Sequence, residues 1–397
     1  MPYPLEAMER AMRIQEVMLQ ALSGRQSWLQ VADVLGVSPR TVRRLRWRLE
    51  THGYTGLLDR RRRVPSLKRA PVAEVQRVLR LYREQYADFN VRHFVETVRR
   101  DHGVALSYTF IKRALQTAGL VRRHRARGRH RRRREPRPCF GELLHLDGSE
   151  HRWLTLLPGQ RDTLLVVLDD ATTRLLYAEL AGDGESTAAV MRALRAVLTS
   201  YGLPMALYTD RAGWAAYTPT AGGGPDRTRP TQVGRALARL GIEHIQSFSP
   251  QARGRSERGN STLQGRLVAE LRQAGICERP AANAFIAEVF RARWDAAFAR
   301  RPTDPASAFV PLRGVDLEQI LCHEEERVVA RDNTVRFGAL TFQLAKQAGR
   351  RSCAGLRVLV RRHLDGRHSI WCGPRRFALY DAAGQPLLST RSTSKTA

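Results

Sequence analysis

The sequence predicts a multidomain α+β chain: all-α helix-turn-helix modules at the N-terminus, a central α/β domain with a mixed five-stranded sheet, and a small C-terminal β-barrel. Three observations carry this. Apolar residues recur at helical spacing through the first 120 residues. A central stretch changes to apolar strand-like runs alternating with helices. Beyond residue 312, short β-rich runs alternate with turns such as Asp365-Gly366.

With 397 residues, the chain is long enough for several cores. The expected division is a helix-turn-helix domain over 1–55, a basic linker over 56–71, and a second, winged-helix-like helical module over 72–121. An Arg-rich linker over 122–138 leads to the central α/β domain over 139–300. A linker over 301–312, a β-barrel over 313–388 and a disordered tail over 389–397 complete it.

Charge is the outlier in the composition. Lys and Arg number 67 against 38 Asp and Glu, leaving +29, while the 43% hydrophobic and 26% charged fractions are ordinary for a folded chain. That excess attracts polyanions, and double-stranded DNA is the expected partner. Only four of the basic residues are lysine, a bias that a GC-rich genome explains. The five cysteines are scattered without a CxxC pair, which argues against a zinc site or a disulfide framework. The start, MPYPLEAMERAMRI, is charged and amphipathic rather than signal-like, and no apolar run reaches membrane-spanning length. A reducing cytoplasm is the expected setting, with no membrane partner.

In SWLQVADVLGVSPRTVRRLRWRLETHG, Trp28, Val31, Ala32 and Leu35 mark one amphipathic helix, and Gly36 breaks it. Ser38-Pro39 supplies the N-cap and first-turn proline of the next. Val42, Leu45 and Leu49 turn inward, leaving Arg40, Thr41, Arg43 and Arg44 outward where a recognition helix meets a major groove. The plain alternative is a helical bundle with a solvated arginine face. Helices over 72–86, 91–101 and 107–118 repeat the theme, and Tyr108, Thr109, Lys112 and Arg113 are the candidate DNA contacts of the third. The run over 122–138 holds ten arginines, Arg131, Arg132 and Arg133 among them, against one glutamate. It is too charged to fold alone and suits a duplex backbone.

Strands follow over 143–147, 163–169 and 174–180, then a helix over 186–201, a strand over 205–209, a helix over 231–240 and a strand over 242–248. Asp147 in LLHLDGSEHRWL and Asp210 in MALYTDRAG each close an apolar run. If the first and fourth strands are parallel neighbours, the two acids meet at adjacent strand ends. Glu257 opens a helix beginning near Arg253, sharing a face with Asn260, Ser261 and Gln264, while Leu263 and Leu267 anchor that helix to the sheet. Arg253, Arg255 and Arg258 surround it and suit approaching phosphates. Each acid also has a bland explanation, as a turn signal, a strand exit or a helix-dipole complement. Together, in a chain this basic, they are the three carboxylates that a pair of Mg²⁺ ions needs for phosphodiester chemistry, with Mn²⁺ as a substitute. Asp169 and Asp170, before a tight turn, read as capping residues.

The blocks LDGSEHRW, LDDATTR, LYTDR and SPQARGRSERGNSTLQGRLVAELR resemble the transposases of bacterial insertion sequences in the "not classified yet" (ISNCY) group. More broadly they are similar to the DDE transposase and retroviral integrase superfamily. The resemblance spans nearly the whole chain and implies a ribonuclease H-like catalytic core whose triad falls on Asp147, Asp210 and Glu257. It further implies Mg-dependent 3′-end cleavage and strand transfer into target DNA, recognition of terminal inverted repeats by the N-terminal modules, and homo-oligomers that pair the ends in a bacterial, nucleoid-associated setting. In similar transposases a small C-terminal barrel contacts DNA or holds the assembly together, and Arg357, Arg361, Arg362, Arg375 and Arg376 permit that here. Two departures stand out: Ala212 occupies a position where relatives commonly have histidine, and Glu257 follows Asp210 by 47 positions. The glycines of AGWAAYTPTAGGGPDRTRPTQ suggest a loop that absorbs the extra chain, with Trp214 and Tyr217 expected to pack. A nuclease that does not join ends and a catalytically inactive DNA-binding regulator are the two alternatives.

Overall fold

The computed structural model describes residues 3–58, 70–123, 135–157, 159, 161–219, 224, 226, 228–247 and 256–387, with only the backbone of Ser256 and Glu257 described. Its residues divide into two units, Met1–Val78 and Leu79–Ala397.

In the first unit, α1 (Leu5–Leu22), α2 (Trp28–Leu35), α3 (Pro39–His52) and α4 (Tyr54–Leu57) enclose a core of Ala11, Met18, Val31, Ala32 and Val42. Local chemistry sets the turn between α2 and α3. Ser27 and Gln30 close a capping box on α2, and Gly36 ends that helix in the left-handed region at φ 61°. Ser38 then caps α3 by accepting from Thr41 N, with Pro39 in the first turn. Glycine is required at 36 because a Cβ would strain that backbone.

Helix α5 (Val72–Glu84) spans the division. In the second unit, α6 (Val91–His102) and α7 (Tyr108–Thr117) follow it, each opened by a side-chain cap, Asn90 and Ser107 respectively. The chain then builds β1 (Cys139–Phe140), β2 (Leu143–His151), β3 (Asp162–Asp169), β4 (Leu175–Ala181), α8 (Thr187–Tyr201), β5 (Ala206–Thr209), α9 (Gln232–Leu240) and β6 (Glu243–Gln246). Next come α10 (Ser256–Gln273), α11 (Arg279–Phe285), one π-helical turn (Ile286–Phe290) and α12 (Arg291–Phe298). The central sheet has the order β4-β3-β2-β5-β6, antiparallel from β4 to β2 and parallel from β2 to β6. This is the mixed five-stranded sheet that the run of strands and helices predicts.

Side-chain alternation divides the sheet into two apolar faces. Leu144, Leu146, Leu165 and Val167 meet α8 and α9 on one face. Leu164 and Val166 meet Leu263, Leu267 and Leu271 of α10 on the other. Helix α10 is also bonded to α6 along its flank. His93 Nε2 lies 3.0 Å from Glu270 Oε1, and Arg266, Arg272 and the Gly265 carbonyl engage Glu96, Asp88 and Asn90.

The segment expected as a plain linker after residue 300 contains β7 (Asp304–Ser307), which pairs in parallel with β1. Beyond α13 (Leu317–Ile320) come β8 (His323–Val328), β9 (Thr334–Phe337), β10 (Leu340–Gln343), β11 (Arg357–Arg362), β12 (His368–Cys372) and β13 (Arg375–Tyr380). They form an open antiparallel sheet, β13-β12-β11-β8, and a separate β9–β10 hairpin. The expected barrel is therefore corrected: among the described residues β8 and β13 do not pair with each other. Four strands of five or six residues are too few to close on themselves. The hairpin covers the apolar face instead, bringing Val335, Phe337 and Phe342 against Val358, Val360 and Ile370.

Candidate active site

Strand β2 pairs in parallel with β5 at Leu143↔Ala206, Leu144↔Leu207 and His145↔Tyr208. The pairing stops there; carried two residues further, its register leads toward Asp147 on β2 and Asp210 just past the end of β5. Parallel neighbours in register point to the same face, here the face that α10 covers. The expectation that Asp147 ends its strand is corrected. Strand β2 continues to His151 because its partner on the other side, β3, stays paired from Leu144↔Asp169 through His151↔Asp162. Asp147 thus lies within the strand, at the point where β5 stops, and is 6% exposed. Asp210, one residue beyond β5, accepts a bond from Ala212 N at 2.9 Å, which fixes its carboxylate against the turn. Ala212 contributes to the site through this backbone amide.

Helix α10 crosses the same face. Asn260 Nδ2 donates to Asp147 Oδ2 at 2.8 Å, and one turn on Gln264 Nε2 donates to Ser149 Oγ at 3.0 Å. Glu257 precedes Asn260 by three positions and lies on the same helix face by period. Its side chain lies outside the described residues, as do Arg253, Arg255, Arg131, Arg132 and Arg133. The Oδ1 of Asn260 is buried and has no hydrogen-bond partner among the described residues. A buried acceptor left in this way costs about 1–3 kcal/mol unless something supplies it with a donor or a cation. The sequence places Asn260 on the right face; only the packing of α10 on β2 reveals that it binds Asp147.

Asp169 has the capping role expected of it, whereas the bonds of Asp170 reach Arg137 and His145 outside the turn. Asp169 accepts from Gly141 N, Thr172 N and Thr172 Oγ1. Burial pushes its carboxyl above the usual range in spite of those bonds. Asp170 accepts from Arg137 N at 2.7 Å and lies 2.8 Å from His145 Nε2. Both line a cavity of about 360 Å³ beside the start of α10, at which Arg258 and Arg300 supply positive charge. Trp214 is buried, as expected, whereas Tyr217 is exposed.

On α3, Arg40, Arg43 and Arg44 are exposed, while Thr41 is half-buried with its hydroxyl 3.0 Å from Ser38 Oγ. On α7, Thr109, Lys112 and Arg113 are exposed. Tyr108 is half-buried, with Arg92 and Lys112 about 6 Å from its ring centre. Arg258 is exposed on the first turn of α10. No helix among the described residues is long and apolar enough to cross a membrane.

Comparison with known proteins agrees with this architecture. Residues 15–63 match the model of a helix-turn-helix domain family. The chain is 33% identical over 369 residues to the putative transposase y4bF of Sinorhizobium fredii (strain NBRC 101917 / NGR234), covering 92% of this chain and 79% of that protein. It is 29% identical over 231 residues to the transposase for insertion sequence IS1202 of Streptococcus pneumoniae, covering 50% of this chain and 49% of that one. Among solved structures it is similar to the HTLV-2 integrase catalytic core domain in complex with magnesium, at 14% identity and a TM-score of 0.26, covering 37% of this chain and 82% of that one. That last likeness is too slight to argue from. The chain belongs to the transposase family.

Proposed function

We propose that the chain is a DDE transposase that binds the terminal inverted repeats of its insertion sequence, cleaves the element's 3′ ends and joins them to target DNA. The observation that supports this reading is the parallel β2–β5 pairing, which brings the segments leading to Asp147 and Asp210 to neighbouring strands, with Asn260 of the Glu257-bearing helix bonded to Asp147. Such a concentration of oxygen ligands in a strongly basic chain suits a phosphodiester rather than a small acid.

The donor set fits a hard divalent cation: carboxylates of Asp147, Asp210 and Glu257, joined by the buried, unpartnered Oδ1 of Asn260. Two Mg²⁺ ions, for which Mn²⁺ substitutes, would supply charge neutralisation and activation of the attacking oxygen. The chain's own residues do the rest. Asn260 fixes the Asp147 carboxylate through Oδ2, the Ala212 amide holds Asp210, and Arg258 offers a phosphate contact at the site's rim. Water adds at phosphorus and the element's 3′-oxygen leaves as a hydroxyl, keeping the phosphate on the flanking strand. That 3′-hydroxyl then attacks a target phosphodiester in line and displaces the target's own 3′-oxygen. The N-terminal helices supply end recognition, and a homo-oligomer pairs the two ends.

Purified protein incubated with Mg²⁺ and a labelled element end, then with a target plasmid, tests this. Joined products support transposition, nicking without joining indicates a nuclease, and absence of nicking indicates a DNA-binding regulator. Asp147→Asn, Asp210→Asn and Glu257→Gln should each abolish the chemistry and leave end binding intact; near-normal strand transfer by any of them refutes the triad.

A further inference from the structure

We infer that Trp47 reads a thymine methyl group in the DNA that α3 contacts, an inference that rests on the proposed recognition of element ends by the N-terminal helices. Trp47 is 59% exposed on α3. It follows Arg40, Arg43 and Arg44 by seven, four and three positions, so by helical period the four side chains form one continuous strip. All three arginines are exposed. The other face of α3 is committed to the core of the first unit, with Val42 buried and Leu45 and Leu49 packed against it. Glu50, the one acid of α3, is paired with Arg46 at 2.6 Å, and that arginine in turn lies over the Trp28 ring at 4.6 Å. The strip around Trp47 therefore keeps its positive charge. His52 meets the indole edge-on, with ring centres 5.8 Å apart, and holds it on this face.

A single exposed apolar side chain on a protein surface needs no explanation by itself. Trp47 differs in its neighbours. Side chains at i, i+3, i+4 and i+7 are those that a helix laid along the major groove presents to base edges. The arginines complement the charge of a duplex, and each can bond the O6 and N7 of a guanine. The indole adds a broad apolar surface, and the major-groove edges offer one apolar group to meet it, the C5 methyl of thymine. Arg40 and Trp47 lie about 10 Å apart along the helix axis, which sets that thymine about three base pairs from the pair at Arg40. A second copy of the chain could also cover a tryptophan, but the three arginines around this one repel the same face of another copy.

The test uses the full chain and a duplex carrying the element's terminal repeat, with thymines replaced one at a time by deoxyuridine, which removes only the methyl. Fluorescence anisotropy reads the affinity, and an unrelated duplex of the same length reads non-specific binding. For the wild type, one replacement should weaken binding about fourfold, the effect of losing one buried methyl. Trp47→Ala should weaken binding to the unmodified repeat by at least that factor and lose nothing more on the deoxyuridine duplex. Its binding to the unrelated duplex should stay within about twofold of wild type, with an unchanged salt slope, because no phosphate contact is removed. Arg43→Ala, by contrast, should lower the magnitude of that slope by about 0.9. If the wild type binds the repeat no better than the unrelated duplex, end recognition fails along with the inference. If it prefers the repeat but no deoxyuridine weakens it, or Trp47→Ala keeps the wild-type deoxyuridine loss, the inference about Trp47 alone is overturned. Sedimentation without DNA covers the remaining case: weaker self-association of Trp47→Ala, with thymine discrimination intact, makes the residue a contact between copies and equally overturns the inference.

Discussion

Asn260 Nδ2 donates to Asp147 Oδ2 at 2.8 Å, tying the helix that bears Glu257 to the strand that bears Asp147. The bond lets α10 control where one carboxylate lone pair points. Asn260→Ala removes the donor without adding charge, and cleavage of a labelled end is expected to fall about 10–100-fold. Asn260→Asp sets a second carboxylate against Asp147 and should be worse. Single-turnover cleavage checks both, with a gel-shift assay to show that end binding is retained.

The exposed arginines of α3 lead to a salt-dependence prediction. Each phosphate contact contributes about 0.9 to the slope of log K against log salt. Replacing Arg43 and Arg44 together with alanine should lower the magnitude of that slope by about 2 if both touch phosphates. Neutralising the arginines of 122–138 should flatten it further, and an unchanged slope would make that run a spacer. Fluorescence anisotropy on an inverted-repeat duplex over a range of salt concentrations reads both effects.

Glu270 connects α10 to α6 and to α12, accepting from His93 at 3.0 Å and from Arg293 at 2.7 Å. Burial by itself would raise its carboxyl, but the bonds and charges of His93 and Arg293 outweigh burial and hold it below the ordinary value of 4.5. A carboxyl depressed in the fold contributes stability that is present above the unfolded value and lost as pH falls through the folded one. The wild type should therefore lose stability below about pH 4.5, and Glu270→Gln should lose less of it between pH 7 and pH 4. Glu270→Ala strands the buried His93 and releases the partly exposed Arg293, and should cost about 3 kcal/mol at pH 7. Urea unfolding at the two pH values measures this.

Gly141 sits at φ +85°, and a Cβ there would lie 2.6 Å from Phe309 Cε2. Gly141→Ala combines a strained backbone with overpacking and should destabilise the protein by about 2–4 kcal/mol. Calorimetric melting checks it; an unchanged melting temperature would show that the Phe309 ring moves aside freely.

The helix-turn-helix was legible in the sequence because its signals are local. Ser27, Gly36, Ser38 and Pro39 specify caps and a left-handed turn whatever packs around them. The mixed five-stranded sheet was legible for a similar reason, since apolar runs and intervening helices leave few ways to build one, but the adjacency of the first and fourth strands entered only as a condition. The C-terminal strands were legible singly but not in their closure, because a hairpin that covers an apolar face and a strand that closes a barrel have the same alternating pattern.

The sequence by itself singled out the residues proposed to carry the chemistry: an aspartate ending each of two apolar runs and a glutamate opening a helix. Tertiary structure alone decided how the two aspartates are held. Asp147 lies within a strand and not at its end because β3 extends the pairing that β5 stops. Asn260 meets Asp147 across 113 residues. No local preference encodes such contacts; they arise when strand register and helix packing bring distant side chains to one edge.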